Sequence, residues 1–180
     1  MIHRHSVSSA GFTIVELLIV VVVIAILASI TISAYNGITG RAYDSSVQSD
    51  LQNMGEMVSL AGDATSTYPI DEATLSVVGL RVSKNAYGNE IVSGGLKYNV
   101  LYCSTKPPYQ PAGFAFVSAS KSGNVFAFRN STGAVTTYPT ANWAIGWGSI
   151  CPDVLGVASG NSNVGIWLYE NSIWKIWLTS

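Results

Sequence analysis

Histidine disappears from this chain after His5, and with it go the commonest general base at neutral pH and the commonest metal ligand. Cysteine occurs only at positions 103 and 151, too few for a thiolate metal cluster. No phosphate-cradling glycine loop, serine-nucleophile elbow or paired-carboxylate motif is present, so no reaction centre is recognisable. Charge is sparse as well. Charged residues make up 11% of the sequence, the net charge is −1, and the nine basic residues scatter from Arg4 to Lys175 without forming a nucleic-acid footprint on one subunit. These absences predict a protein that is not an enzyme and that holds no metal or cofactor.

What the chain does contain is one long apolar run. Between positions 12 and 35 the only polar residues are Thr13, Glu16, Ser29, Thr31 and Ser33. As a helix rising about 1.5 Å per residue, this run spans roughly 36 Å, enough to cross a bilayer once. No second such run follows, which predicts a water-soluble domain outside the membrane. Before the run lies MIHRHSVSSAG, polar and mildly basic through Arg4, with His3 and His5 able to add charge at lower pH. A secretory signal has its apolar region before the cut. Here the small residues come first, so a cut at Gly11 would leave the anchor on the mature protein.

Gly11, Phe12, Thr13 and Glu16, followed by LLIVVVVIAILASI, closely resemble the class III signal of type IV pilins and their pseudopilin relatives. The resemblance implies that a membrane aspartyl prepilin peptidase cuts after Gly11 and methylates the new amine of Phe12. It also implies an α+β, type IV pilin-like fold, with a long N-terminal helix packed on a C-terminal antiparallel β-sheet. The expected divisions are a cleaved leader at 1–11, a transmembrane and assembly half-helix at 12–35, an amphipathic half-helix at 36–63, and an extracellular globular β-sheet domain at 64–180. The partners implied are the peptidase, other pilin subunits (alone or with minor pilins), the inner-membrane assembly platform and, before assembly, membrane lipid. The implied location is the inner membrane first and an extracellular pilus afterwards.

Glu16 is out of place in such a run, because a carboxylate at membrane depth is costly without a partner. One reading is local: Thr13-x-x-Glu16 fits a capping box, with the acid beside the positive end of the helix dipole. The other is implied by the resemblance, in which Glu16 of an incoming subunit meets the Phe12 amine of a neighbour already in the filament. A hydrogen-bonded pair largely offsets the cost of burying each charge and fixes axial register.

Further on, Val47, Leu51, Met54, Val58 and Ala61 recur at helical spacing, with Gln48, Gln52, Asn53, Glu56 and Ser59 on the other face. This predicts that one helix continues to about Ala61. Asn36, Gly37 and Gly40 are weak helix formers, so a melt or kink is expected there, at the membrane surface. Pro69 and Asp71 then predict a short capped helix ending near Gly79. Runs at 97–103, 113–119, 125–128 and 134–138 read as strands, with KSGN and NSTG as turns. Trp167, Trp174 and Trp177 flank an expected turn at Glu170 and Asn171; core packing and an exposed contact surface both remain open.

A domain outside the membrane lies where disulfides persist, so a Cys103–Cys151 bond is expected, the alternative being two separate buried thiols. Closing that loop would contribute roughly 4 kcal/mol in the chain-entropy model. Asn130-Ser131-Thr132 has the form of a glycosylation triplet and is read as a coincidence in a turn. Three functions compete. They are a pilus subunit serving motility, adhesion or DNA uptake; a pseudopilin of a type II secretion system; and a single-pass anchored binding protein that does not polymerise.

Overall fold

The structure, a computed structural model, describes residues 11–65, 67–105, 108, 112–160 and 162–180. His3, Arg4 and His5 of the expected leader lie outside them. The chain divides into two units, Met1–Ile38 and Thr39–Ser180.

Helix α1 runs over Ile14–Thr65 and contributes to both units. Of the melt or kink expected at Asn36, Gly37 and Gly40, the melt is absent, for the helix continues through all three. Each glycine costs only about 1 kcal/mol against alanine, less than nucleating a second helix would cost, so the ladder is carried across. The helix also ends later than expected, at Thr65 rather than Ala61.

In the second unit, helix α2 (Glu72–Ser76) follows. Asp71 caps it: its carboxylate accepts from the Thr74 amide at 2.8 Å, and its own amide donates to the Thr74 hydroxyl at 3.4 Å. A seven-stranded sheet comes next, made of β1 (Ile91–Ser93), β2 (Leu96–Thr105), β3 (Phe114–Ala119), β4 (Val125–Arg129), β5 (Ala134–Tyr138), β6 (Ser162–Glu170) and β7 (Ile173–Trp174). The order is β5-β4-β3-β2-β6-β7, with β1 also on β2, and every pairing is antiparallel. Two short helices, α3 (Thr140–Trp143) and α4 (Trp147–Leu155), lie between β5 and β6 in the chain.

Strand side chains alternate between faces, and here both faces are covered. Val100, Tyr102, Phe114, Phe116, Phe128 and Leu168 form one core with Val47, Leu51, Met54 and Val58 of α1. Leu101, Cys103, Ala115, Val117 and Ala127 form a second core with Trp143 of α3 and Ile150, Cys151 and Val154 of α4. The expected α+β arrangement, a long N-terminal helix packed on an antiparallel sheet, is present, and a third layer that was not expected covers the sheet's other face. Helix α4 was invisible in the sequence because WGSICPDVL has Gly148 and Pro152 inside it, which weaken intrinsic helicity. Burial of Ile150 and Val154 compensates, at about 1.5–3 kcal/mol for each large side chain. Gly156 then ends the helix with φ 66°, a left-handed position that suits glycine.

Polar ties fix α1 on this unit. Asp44 accepts from Ser120, Ser122 and Asn124 of the β3–β4 turn, and Asp50 accepts from Ser83 and, at 2.9 Å, from Tyr87. Asn99, almost fully buried, accepts from the Val100 amide, Ser118 and the Ala119 amide, so its carbonyl oxygen is well satisfied. It thereby steadies Val100, which adopts a left-handed φ of 52° that is costly for a β-branched residue.

Candidate processing and assembly site

Residues 11–13 are non-helical, and α1 begins at Ile14 with Thr13 as its cap. The Thr13 amide and hydroxyl donate to Glu16 Oε2 at 3.0 and 2.9 Å, while the Glu16 amide donates to Thr13 Oγ1 at 3.2 Å. The capping box of the local reading is thus formed, and it satisfies amides that a helix start leaves without partners. Both bonds to the carboxylate use Oε2. Among the described residues nothing donates to Oε1, so the cap leaves half of the carboxylate's acceptor capacity unused.

Next to this cap the backbone is open. Phe12 is 86% exposed, and no atom lies within 4 Å of where a Cβ on Gly11 would be. The Gly11–Phe12 bond therefore lies in a non-helical, exposed stretch just ahead of the helix. Downstream, every large apolar side chain from Phe12 to Ile38 that is described lies between 47% and 86% exposed. Two of its hydroxyls are satisfied within the helix: Ser29 donates back to the Ile26 carbonyl at 2.8 Å and Thr31 to that of Leu27 at 2.7 Å. Among the described residues this is the one helix long and apolar enough to cross a membrane.

Cys103 on β2 and Cys151 on α4 are joined, with Cα atoms 5.4 Å apart. Both are buried in the second core, so the link fastens the third layer to the middle of the sheet. Trp167 packs 5.1 Å from Tyr98 and 6.0 Å from Trp143, Trp174 touches Tyr87 and Tyr169, and the Trp177 indole donates to Glu72 at 3.1 Å. All three are half-buried against the cores rather than standing free. Their turn falls at Asn171 and Ser172, one residue later than expected, and both residues adopt positive φ. Asn130 of the glycosylation-type triplet accepts from the Phe114 amide at 2.9 Å, a structural use of that side chain.

Sequence reasoning did not single out Asp44, Asp50 or Asn99. Asp44 and Asp50 looked like ordinary solvated helix charges, and their partners come from 33 to 80 residues away along the chain, so no local pattern could have flagged them. Among the described residues no group of three or more acidic, cysteine or histidine side chains is placed to hold a metal ion.

Residues 7–32 match the family model for the prokaryotic N-terminal methylation motif, the prepilin-type signal of type IV pilins. That motif indicates a structural protein rather than an enzyme. It supports a type IV pilin-like or pseudopilin-type protein whose apolar helix fits an inner-membrane anchored precursor. No curated protein and no solved structure matches the chain.

Proposed function

We propose that this chain is a structural subunit of a type IV pilus, cut after Gly11, methylated on the amine of Phe12, and polymerised through its apolar helix into a surface filament for motility, adhesion or DNA uptake. The observation that carries this reading is the bare apolar stretch of α1, which has an unused carboxylate oxygen at its start. A helix that is apolar on all sides is covered by lipid or by other helices. Cleavage would create a cation at Phe12, and Oε1 of Glu16 is free to receive such an amine from a neighbouring subunit without dismantling the cap.

The partners in this reading are prepilin peptidase, other pilin subunits, the inner-membrane assembly platform and lipid before assembly. The pseudopilin reading draws less support. Beyond Glu90 the acidic residues are only Asp153 and Glu170; Tyr138 and Asn142 donate to the first, and Lys175 lies 3.6 Å from the second, which leaves little for a calcium ion. Mass spectrometry of protein from its native host is expected to find an N-terminal peptide starting at methylated Phe12. The same non-reduced digest should link Cys103 to Cys151. Intact Met1 in assembled filaments would overturn the proposal.

A further inference from the structure

A cavity of about 330 Å³ opens on the second unit beside the β6–β7 turn, at the lower end of the roughly 300–1,000 Å³ typical of small-molecule clefts. Its size suits a single-ring ligand. One wall is aromatic: Trp174 sits with its ring centroid 5.2 Å from that of Tyr87 and 5.1 Å from that of Tyr169. The lining also carries two cations. Lys84 and Lys121 both line the cavity, and neither is paired with a carboxylate among the described residues. Lys84 donates to the Leu178 carbonyl at 3.2 Å, and Lys121 rests 5.5 Å from the Tyr43 ring centroid; both partners are neutral and lie outside the lining, so neither contact neutralises its ammonium group.

The acid in the lining does not cancel them. Glu90 accepts from Tyr169 at 2.7 Å and bridges Lys97 at 3.1 Å, so its charge is already matched by a lysine outside the cavity. The Tyr169 hydrogen bond, opposed by partial burial and aided by Lys97, holds its carboxyl below the ordinary range, leaving it ionised and able only to accept. Ser172 adds a hydroxyl on the same rim. An aromatic face, a pair of unneutralised cations, and separate acceptor and hydroxyl groups together fit a flat-faced, polyhydroxylated ring that carries one negative charge.

We infer that this cavity is a binding site for a saccharide unit bearing a carboxylate, stacked on Trp174 with its carboxylate between Lys84 and Lys121 and its hydroxyls toward Glu90 and Ser172. The site lies within one subunit and stands whether or not the chain polymerises. A neutral sugar has the ring but lacks the charge, and a small carboxylate has the charge but lacks the ring, so each should bind more weakly.

The test uses the full chain in detergent micelles, with tryptophan fluorescence and calorimetry against glucuronate, glucose and acetate. Glucuronate is expected to bind at least about tenfold more tightly than either of the others. The exposed change Lys121→Gln should remove that advantage, and Lys121→Arg should keep it, with the thermal midpoint unchanged in both. Equal binding of glucose and glucuronate, full competition by acetate, no binding by any of the three at millimolar concentration, or no effect of Lys121→Gln would each overturn the proposal.

Discussion

Ile14–Thr65 is one helix by hydrogen bonding, yet its two stretches obey opposite rules of burial. Before Ile38 the large apolar side chains are bare, Leu18 at 57% and Val22 at 47%. After Thr39, apolar residues come at intervals of three and four, and Val47, Leu51, Met54 and Val58 are at 0%. The difference lies in pattern rather than in helicity. A periodic stripe finds its cover inside the same unit, in the aromatic face of the sheet. A run that is apolar on every side has no single inward face, and among the described residues nothing in this chain covers it. Polar groups follow the same division. Asp44 and Asp50 are tied to turns of their own unit, whereas among the described residues Glu16 bonds only to the cap that it completes.

The largest effect expected from breaking this contrast is on assembly. Glu16→Gln preserves a capping side chain but removes the charge, so N-terminal processing in membranes should persist while the sheared filament fraction falls at least about tenfold. Normal filament yield would confine Glu16 to its capping role. Next in size is a paired truncation. Leu51→Ala opens a cavity in the first core and should cost about 2–5 kcal/mol in chemical denaturation of the second unit. Leu18→Ala should leave that transition within about 0.5 kcal/mol of wild type. Equal losses from the two changes would show that the stretches share one core.

A glycine pair sharpens the contrast at smaller scale. A Cβ at Gly55 would overlap the Phe128 ring, so Gly55→Ala should destabilise by about 1–2 kcal/mol, the overpacking cost exceeding the gain in helix propensity. At Gly37 nothing lies within 4 Å, and Gly37→Ala should leave the midpoint of the second unit unmoved.

The smallest effect concerns pH. Burial raises the carboxyl of Asp44, but hydrogen bonds from Ser120, Ser122 and Asn124 outweigh it and hold the group below its ordinary 3.8. A depressed folded value stabilises fully above the unfolded value and is lost as pH falls through the folded one. Denaturation of wild type should therefore weaken below about pH 3.8 more than that of Asp44→Asn, by less than about 1 kcal/mol once solvent screening is counted. Parallel acid profiles would remove the contribution assigned to this tie.

By itself the sequence determined the elements whose signals are local. Thr13 and Glu16 ahead of a long apolar run specify a helix apolar enough to cross a membrane and its start; the stripe from Val47 to Val58 specifies an amphipathic continuation; and β-rich runs between turn residues specify strands close to their observed bounds. The capping box at Thr13 and the cap at Asp71 were legible for the same reason, since each joins residues three apart. Tertiary structure alone decided that α4 is helical despite Gly148 and Pro152, that a third layer covers the far side of the sheet, and that Cys103 faces Cys151 from 48 residues away. It also drew Lys84, Lys121 and Trp174 to one cavity. These features depend on free energy gained when distant surfaces meet, and a reading confined to neighbouring residues has no access to that gain.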